Sequence, residues 1–366
     1  MRNPSRLVEP GSKSVGSVTA STGARRSGRH RPLSPLERSR TPGRGWVKRA
    51  TAIAAALAAL AVVIVFAVQH VKRQTEAHPP KSRQQPHRPG FALSATPGSY
   101  LGLYPDGVPA SYAGVTAFTA ATGVKPNVVP YYSGWLEPFQ ATFAATATQH
   151  GAVPLVQMDP TNISLAAIAS GQYDGYLKTY AEAVHAFKYP VIFSFGHEMN
   201  GGWYSWGYRH TPAAVFVAAW RHIVKLFRAL GANNVTWLWT VNVLHPYRHI
   251  HVPSPANWWP GNSYVTWVGI DGYYSNSSFT FASLFGPTIA AVRELTKAPI
   301  LIAETAAASS AGQPAKIADL FAGIRLYGLL GFVWFDSIHL EDWRISGPAA
   351  IAAFRRGARA YDRSAS

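Results

Sequence analysis

The 366-residue chain has no cysteine. Thiol nucleophiles, thiolate metal sites and iron–sulfur clusters are therefore excluded, while the compartment stays open, because a domain large enough to bury a full core folds without disulfides. The sequence also lacks a G-x-S-x-G elbow, a Walker loop and a G-x-G-x-x-G fingerprint. No internal repeat is visible, which argues against solenoids and propellers. Acidic residues are scarce at one end only: residues 1–90 hold 3 Asp and Glu against 17 Lys and Arg, whereas residues 91–366 hold 14 against 17. The formal charge of +17 thus divides into +14 and +3. A nucleic-acid binder is expected to carry its basic surface on the folded domain or on an arm with no competing explanation; the basic arm here flanks an apolar run that explains it, so no nucleic-acid partner is expected.

Long apolar runs are missing except for one. Residues 50–68 carry no charge, and 19 residues at helical rise just cross a bilayer core. Twelve Lys and Arg precede them, with Lys48 and Arg49 at the edge. The positive-inside rule then predicts a transmembrane helix with residues 1–49 as a disordered basic cytoplasmic tail and the rest of the chain outside. A cleaved signal peptide is the alternative reading, and it would make the protein secreted. Against it stand the long leader, an apolar run longer than the usual core of about 7–15 residues, and a distant cleavage candidate at Thr75-Glu76-Ala77. Residues 69–90, with Pro79, Pro80, Pro86 and Pro89 among Lys, Arg and Gln, lack apolar periodicity and read as a stalk.

From residue 98 onward, short apolar runs alternate with longer helical patterns, which argues for a parallel sheet of βα units. Eight strand candidates can be counted, at 100–104, 127–131, 153–158, 191–195, 235–240, 265–270, 300–303 and 332–335. Helical patterns follow near 111–121, 136–149, 164–187, 212–230, 281–296, 314–328 and 348–360; the stretch 242–264, rich in Pro, His and Trp, reads as a long loop. Eight units in this length predict that residues 91–366 form a (β/α)8 TIM barrel, with its working groups at the carboxyl ends of the strands.

Two acids meet that description. Residues 194–206 read Ser-Phe-Gly-His-Glu-Met-Asn-Gly-Gly-Trp-Tyr-Ser-Trp, which places Glu198 at the end of an apolar strand among aromatic rings. Glu304, in Ala-Pro-Ile-Leu-Ile-Ala-Glu-Thr, is again the first charge after a buried strand. Cleavage of a glycosidic bond needs one acid kept protonated by desolvation and a second carboxylate facing it.

His197-Glu198-Met-Asn200-Gly201-Gly-Trp203, with Trp206 and a later strand-end Glu, resembles glycoside hydrolase family 26, whose best-known members are β-mannanases. The resemblance covers roughly residues 98–345. It implies Glu198 as acid/base and Glu304 as nucleophile of a retaining enzyme acting on a β-linked polysaccharide, without a cofactor or metal. It further implies that His197, Asn200, Trp203, Trp206 and Asp271 line the substrate site, that Tyr273 of Asp271-Gly-Tyr273 contacts the nucleophile, and that Trp334 lies under the sugar being cleaved. Tyr274 competes with Tyr273 for that role. Tyr131, Tyr132, Trp135, Trp258 and Trp259 read equally as outlying subsites or as packing. Asn242 and Asp159 read equally as bonding sugar hydroxyls or as loop structure. In one respect the chain departs from the family: Phe335-Asp336 follows Trp334 where mannanases carry a basic residue, so substrates beyond mannan, such as mixed-linkage β-glucan or β-1,3-xylan, come into view. The membrane span leaves processing of the cell's own exopolysaccharide, by hydrolysis or transglycosylation, as an alternative. A barrel that only binds carbohydrate would be expected to lack one of the two acids. His245, His249 and His251 have neither zinc-site spacing nor a matching carboxylate, and metal binding there is not expected.

Overall fold

The computed structural model describes residues 92–244 and 251–362. The expected tail, span and stalk, and residues His245 and His249, lie outside the described residues. Among the described residues no helix is long and apolar enough to cross a membrane.

Eight parallel strands close into a barrel in sequence order. They are β1 (Tyr100–Pro105), β2 (Val128–Gly134), β3 (Val153–Asp159), β4 (Val191–Phe195), β5 (Val235–Asn242), β6 (Trp267–Asp271), β7 (Ile300–Thr305) and β8 (Gly331–Asp336). The helices are α1 (Ala113–Thr122), α2 (Ala141–Gln149), α3 (Leu165–Ala169), α4 (Asp174–Phe187), α5 (Ala213–Ala229), α6 (Phe281–Leu295), α7 (Gln313–Leu326) and α8 (Gly347–Asp362). All described residues belong to one compact unit.

Strand periodicity sorts the side chains into two cores. Val128, Leu155, Ile192, Leu238, Leu301 and Val333 fill the barrel interior. Their sequence neighbours, such as Val129, Val156, Phe193, Trp239, Ile302 and Trp334, belong to the larger core in which the helices pack. In α5, Phe216, Trp220, Ile223 and Phe227 repeat at helical spacing and are buried. Each such side chain contributes about 1.5–3 kcal/mol of transfer free energy.

Two departures from the sequence reading have physical causes. The single helix expected over 164–187 is two, because the chain turns at Ser170-Gly171, where Gly171 takes φ +83°. Seven of the eight strands also extend past their expected carboxyl ends, by one to three residues, to Pro105, Gly134, Asp159, Asn242, Asp271, Thr305 and Asp336. The added residues include Asp159, Asn242, Asp271, Glu304 and Asp336, polar strand ends that an apolar pattern cannot announce. The long loop after β5 contains two short 3-10 turns, Pro255–Trp258 and Asn262–Tyr264.

Candidate active site

Glu198 is placed by a sharp turn at the end of β4. Gly196 takes φ +56° and Glu198 itself φ +53°, a left-handed conformation that costs an ordinary residue roughly 1–2 kcal/mol. Both neighbouring strands hold it there: the Gly196 N–H donates to the Met158 carbonyl of β3 (2.9 Å), and the Glu198 N–H to the Thr240 carbonyl of β5 (3.0 Å). Backbone held off its preferred region by its surroundings is a mark of a working position.

The Glu198 carboxyl accepts two hydrogen bonds. Asn242 Nδ2 donates to Oε1 (2.6 Å) and the Trp203 indole N–H to Oε2 (2.7 Å). Asn242 is fixed in turn by Asn200, whose Nδ2 donates to the Asn242 carbonyl (2.9 Å) and whose Oδ1 accepts the Asn242 N–H (2.8 Å). Gly201 lets the Trp203 indole pack closely against it, since a Cβ there would collide with the ring.

His197 is buried beside the acid. Its Nδ1 donates to Asp159 Oδ1 (2.9 Å) and its Nε2 to the Tyr204 hydroxyl (3.2 Å). Tyr204 stacks on Trp206 with ring centres 4.3 Å apart, and the Trp206 indole donates to the His197 carbonyl (2.7 Å). The aromatic loop after β4 thus acts as a brace for the His-Glu pair.

Glu304 reaches the same mouth by an irregularity of β7. Leu301 and Ala303 point into the barrel and Ile302 outward, so strict alternation would turn Glu304 outward as well. Instead Ile302 and Thr305 pair with Phe332 and Trp334 of β8, three residues against two, and the β6 register shifts between Ile270 and Asp271. This one-residue bulge re-aims the side chain. The Glu304 carboxylate accepts the Tyr132 hydroxyl on one oxygen and the Tyr273 hydroxyl on the other.

The two carboxyls are electrostatically unlike. Burial pushes the Glu198 pKa up to about 7; the His197 charge opposes the rise, Glu304 adds to it, and the Asn242 and Trp203 hydrogen bonds oppose it. Burial alone would lower His197, but the charge and hydrogen bond of Asp159, followed by Glu198 and Glu304, raise it to about 9, so the ring is cationic at neutral pH. Burial and then the Glu304 charge hold the Tyr132 and Tyr273 phenols well above their ordinary range, protonated and able only to donate to that carboxylate. Asp271 is buried with neither carboxyl oxygen hydrogen-bonded among the described residues, and burial followed by Glu304, Glu198 and Asp159 raises it well above the usual carboxylate range.

The structure brings together Glu198, Glu304, His197, Trp203, Asp271 and Tyr273 of the expected site residues. Asn200 and Trp206 stand behind it as supports. Trp334 is not at the mouth: it faces outward from β8, packs edge-on against Phe354 of α8 (6.2 Å) and donates its indole N–H to the Trp343 carbonyl (3.1 Å). Alternation on β8 turns Val333 into the barrel interior and leaves Trp334 between strand and helix. Phe335 stacks on Tyr104 (4.9 Å) and lies near Tyr273 (6.0 Å), so it is the strand-eight ring on the site side. Asp336, in the stretch where the chain departs from family mannanases, accepts the Ile345 N–H (2.7 Å) and is raised to about 6 by burial. Tyr274 turns away toward Asp319 (3.2 Å). Tyr131 packs on Phe143 and Trp135 on Tyr173 and Tyr176. Trp259 packs on Trp239, while Trp258 is buried near Tyr208.

Tyr132, Asn242 and Asp159, which the sequence left open between substrate contact and structure, each hold one of the key side chains. Tyr204 carried no sequence signal of its own. His197, Asp271 and Glu304 each bring one possible ligand atom within 4.8 Å of the others. In this structure His197 Nδ1 is engaged by Asp159, and both Glu304 oxygens accept phenol protons.

Comparison with known proteins adds independent findings. The family model for glycosyl hydrolase family 26 matches residues 122–316, a stretch that contains Glu198 and Glu304 and ends before Trp334. Endoglucanase H of Acetivibrio thermocellus is 30% identical over 275 residues, which is 70% of this chain and 30% of that protein. Mannan endo-1,4-beta-mannosidase A and B of Caldalkalibacillus mannanilyticus is 35% identical over 91 residues, 23% of this chain and 16% of that one. The chain therefore spans less than a third of the length of either relative. A β-mannanase structure from Bacteroides ovatus superposes with a TM-score of 0.57 at 15% identity, covering 72% of this chain and 89% of the other, a likeness of fold.

Proposed function

The chain belongs to glycosyl hydrolase family 26, and from that premise we propose that it is a retaining glycoside hydrolase acting on a β-linked polysaccharide of the mannan or glucan type. Glu198 serves as acid/base and Glu304 as nucleophile. The observation that carries the reading is the contrast between them: one carboxyl buried and raised to about 7, the other held by two phenol protons.

In the first step Glu198 gives its proton to the leaving oxygen while a Glu304 oxygen attacks the anomeric carbon, breaking the glycosidic bond and forming a glycosyl ester. Esterification removes the Glu304 charge. Since that charge is one of the causes that raise Glu198, the acid becomes a more stable anion at the moment it must act as a base. It then takes a proton from water, the hydroxide oxygen attacks the anomeric carbon, and Glu304 leaves as carboxylate, so the configuration is retained. Asp271, buried beneath the mouth with its carboxyl raised by burial and by the neighbouring acids, adds to the polar floor on which the two catalytic carboxyls stand. Trp203 and Phe335 offer apolar faces to the ring.

The relatives are named for glucan and mannan cleavage, and both glycans enter the proposal for this chain. The uncharged segment 50–68, with its basic flank, supports tethering of the catalytic domain outside the cell. The test is hydrolysis of mannan, mixed-linkage glucan and β-1,3-xylan, with proton NMR of the first-formed anomer. Release of the β-anomer from one of these supports the reading. Release of the α-anomer sinks the retaining mechanism, and failure on all of them sinks the substrate class.

A further inference from the structure

The charges of the barrel are segregated by end. At the mouth, the strand ends and the loops that follow carry Asp106, Glu137, Asp159, Asp271, Glu304, Asp336, Glu341 and Asp342 besides the general acid, against the bases Arg209 and Arg344. At the opposite end, where helices finish and strands begin, the order reverses. Basic residues occupy the last turns of α5, α6, α7 and α8 as Arg228, Arg293, Arg325 and Arg359. Lys125, Lys188 and Lys297 follow α1, α4 and α6 in the short connections to the next strands. Among these seven, all but Arg293 are exposed. In the same last turns and connections the sequence places two carboxylic acids, Glu294 and Asp362.

Complementing the helix dipole accounts for bases inside a last turn. It accounts for Lys188, the C-cap of α4, as well, but not for Lys125 and Lys297, which lie past the helix ends, nor for the near absence of acids between them. Like charges gathered on one face repel, and in a domain of net charge +3 acids elsewhere offset them, most at the mouth and a few, such as Glu182 and Asp319, along the helices. Such a face is an attractive surface for a sheet of negative charge. The described chain also enters at this end: residues 94–99 run along it, with the Gly98 N–H donating to the Leu329 carbonyl (2.9 Å) ahead of β1. Whatever precedes the barrel in the chain therefore joins it on the basic side.

We propose that this basic face, marked by Lys125, Lys188, Arg228, Lys297, Arg325 and Arg359, docks on an anionic phospholipid surface and so points the active-site mouth away from the membrane. The tether reading determines only which membrane the face meets. An acidic mouth turned outward is kept clear of the anionic surface, which leaves it open to an uncharged glycan chain.

The test uses the full-length protein mixed with vesicles of pure phosphatidylcholine or with about one-third phosphatidylglycerol, followed by flotation and lysine-selective labelling read by mass spectrometry. Docking predicts that labelling of Lys125, Lys188 and Lys297 slows about fivefold or more on the anionic vesicles and recovers in roughly 0.5 M salt, whereas exposed Lys178 on the flank does not change. Lys125→Glu combined with Lys297→Glu should abolish protection at Lys188 while leaving hydrolysis of soluble substrate intact. Floated protein with equal labelling on both vesicle types overturns docking and leaves the tether standing. Salt-sensitive flotation on anionic vesicles supports docking when Lys125, Lys188 and Lys297 are protected; the same flotation without that protection assigns binding to the basic residues 1–49 and overturns docking. Protein that floats with neither overturns docking. Protection by soluble heparin but not by anionic vesicles also overturns the proposal, in favour of a polyanionic polymer.

Discussion

Glu198 and Glu304 end strands three places apart in the same barrel, carry the same side chain, and sit in opposite chemical settings. Around Glu198 the donors are an indole and an amide, and burial is the dominant influence, so the carboxyl is raised to about 7. Around Glu304 the donors are two phenols, one from β2 and one following β6. Role follows from surroundings, because a neutral acid and an anionic nucleophile are needed together at one pH. The second difference is in backbone. Glu198 is aimed by a strained left-handed turn, whereas Glu304 is aimed by a bulge in β7.

The sharpest way to break the comparison is to delete each acid. Glu304→Ala should lower kcat/KM by about 10⁴-fold or more on every substrate, and added azide should restore part of the activity with inverted product. Glu198→Ala should cost roughly 10²–10⁴-fold on polysaccharide but far less on activated aryl glycosides, whose leaving groups need little protonation. Equal losses on both substrate types would make the two acids equivalent and remove the assignment.

Next in size are the phenols. Each Tyr→Phe change at 132 or 273 removes a charge-assisted hydrogen bond worth about 1.5–3 kcal/mol, so turnover should fall roughly 10- to 150-fold while the fold is kept. Because both bonds end on one carboxylate, the double variant should depart from additivity. A strictly additive pair would mean that the phenols act independently of Glu304.

A smaller effect concerns the acid side. Asp159→Asn removes the charge that keeps His197 cationic, and the His197 charge is what opposes the rise of Glu198. Loss of the cation therefore raises Glu198 further, and the alkaline limb of the kcat/KM profile should move upward from near 7. Movement downward would reverse the account of the His-Glu pair. The smallest expected effect on catalysis is at Trp334. Its replacement by Ala should destabilise the domain by about 3–5 kcal/mol, as large buried rings do. The kcat/KM per folded molecule should stay nearly unchanged.

Trp334 also shows where the sequence ceased to be legible. The barrel could be read from eight apolar runs, and the His-Glu motif and the later Glu marked two strand ends. What a one-dimensional pattern could not show was which way β7 and β8 face. On β8 plain alternation sends Trp334 outward, and the resemblance alone had placed it under the sugar. On β7 alternation would have sent Glu304 outward, and only the bulge turns it inward. Tyr132, Asn242 and Asp159 were visible as polar or aromatic residues near strand ends, but their partners lie 172, 44 and 38 residues away in the chain. Spacing rules do not reach across a barrel mouth.

The central claim is that Glu198 is a raised acid partly because Glu304 is an anion, and titration of Glu198 tests it most directly. Carbon-13 labelling of the glutamate side chains, with the Glu198 signal assigned by its loss in Glu198→Gln, gives the midpoint in the intact protein and in Glu304→Gln. The account predicts a midpoint near 7 that falls when the Glu304 charge is removed. A midpoint in the ordinary carboxylate range of about 4–5, unmoved by Glu304→Gln, would contradict it.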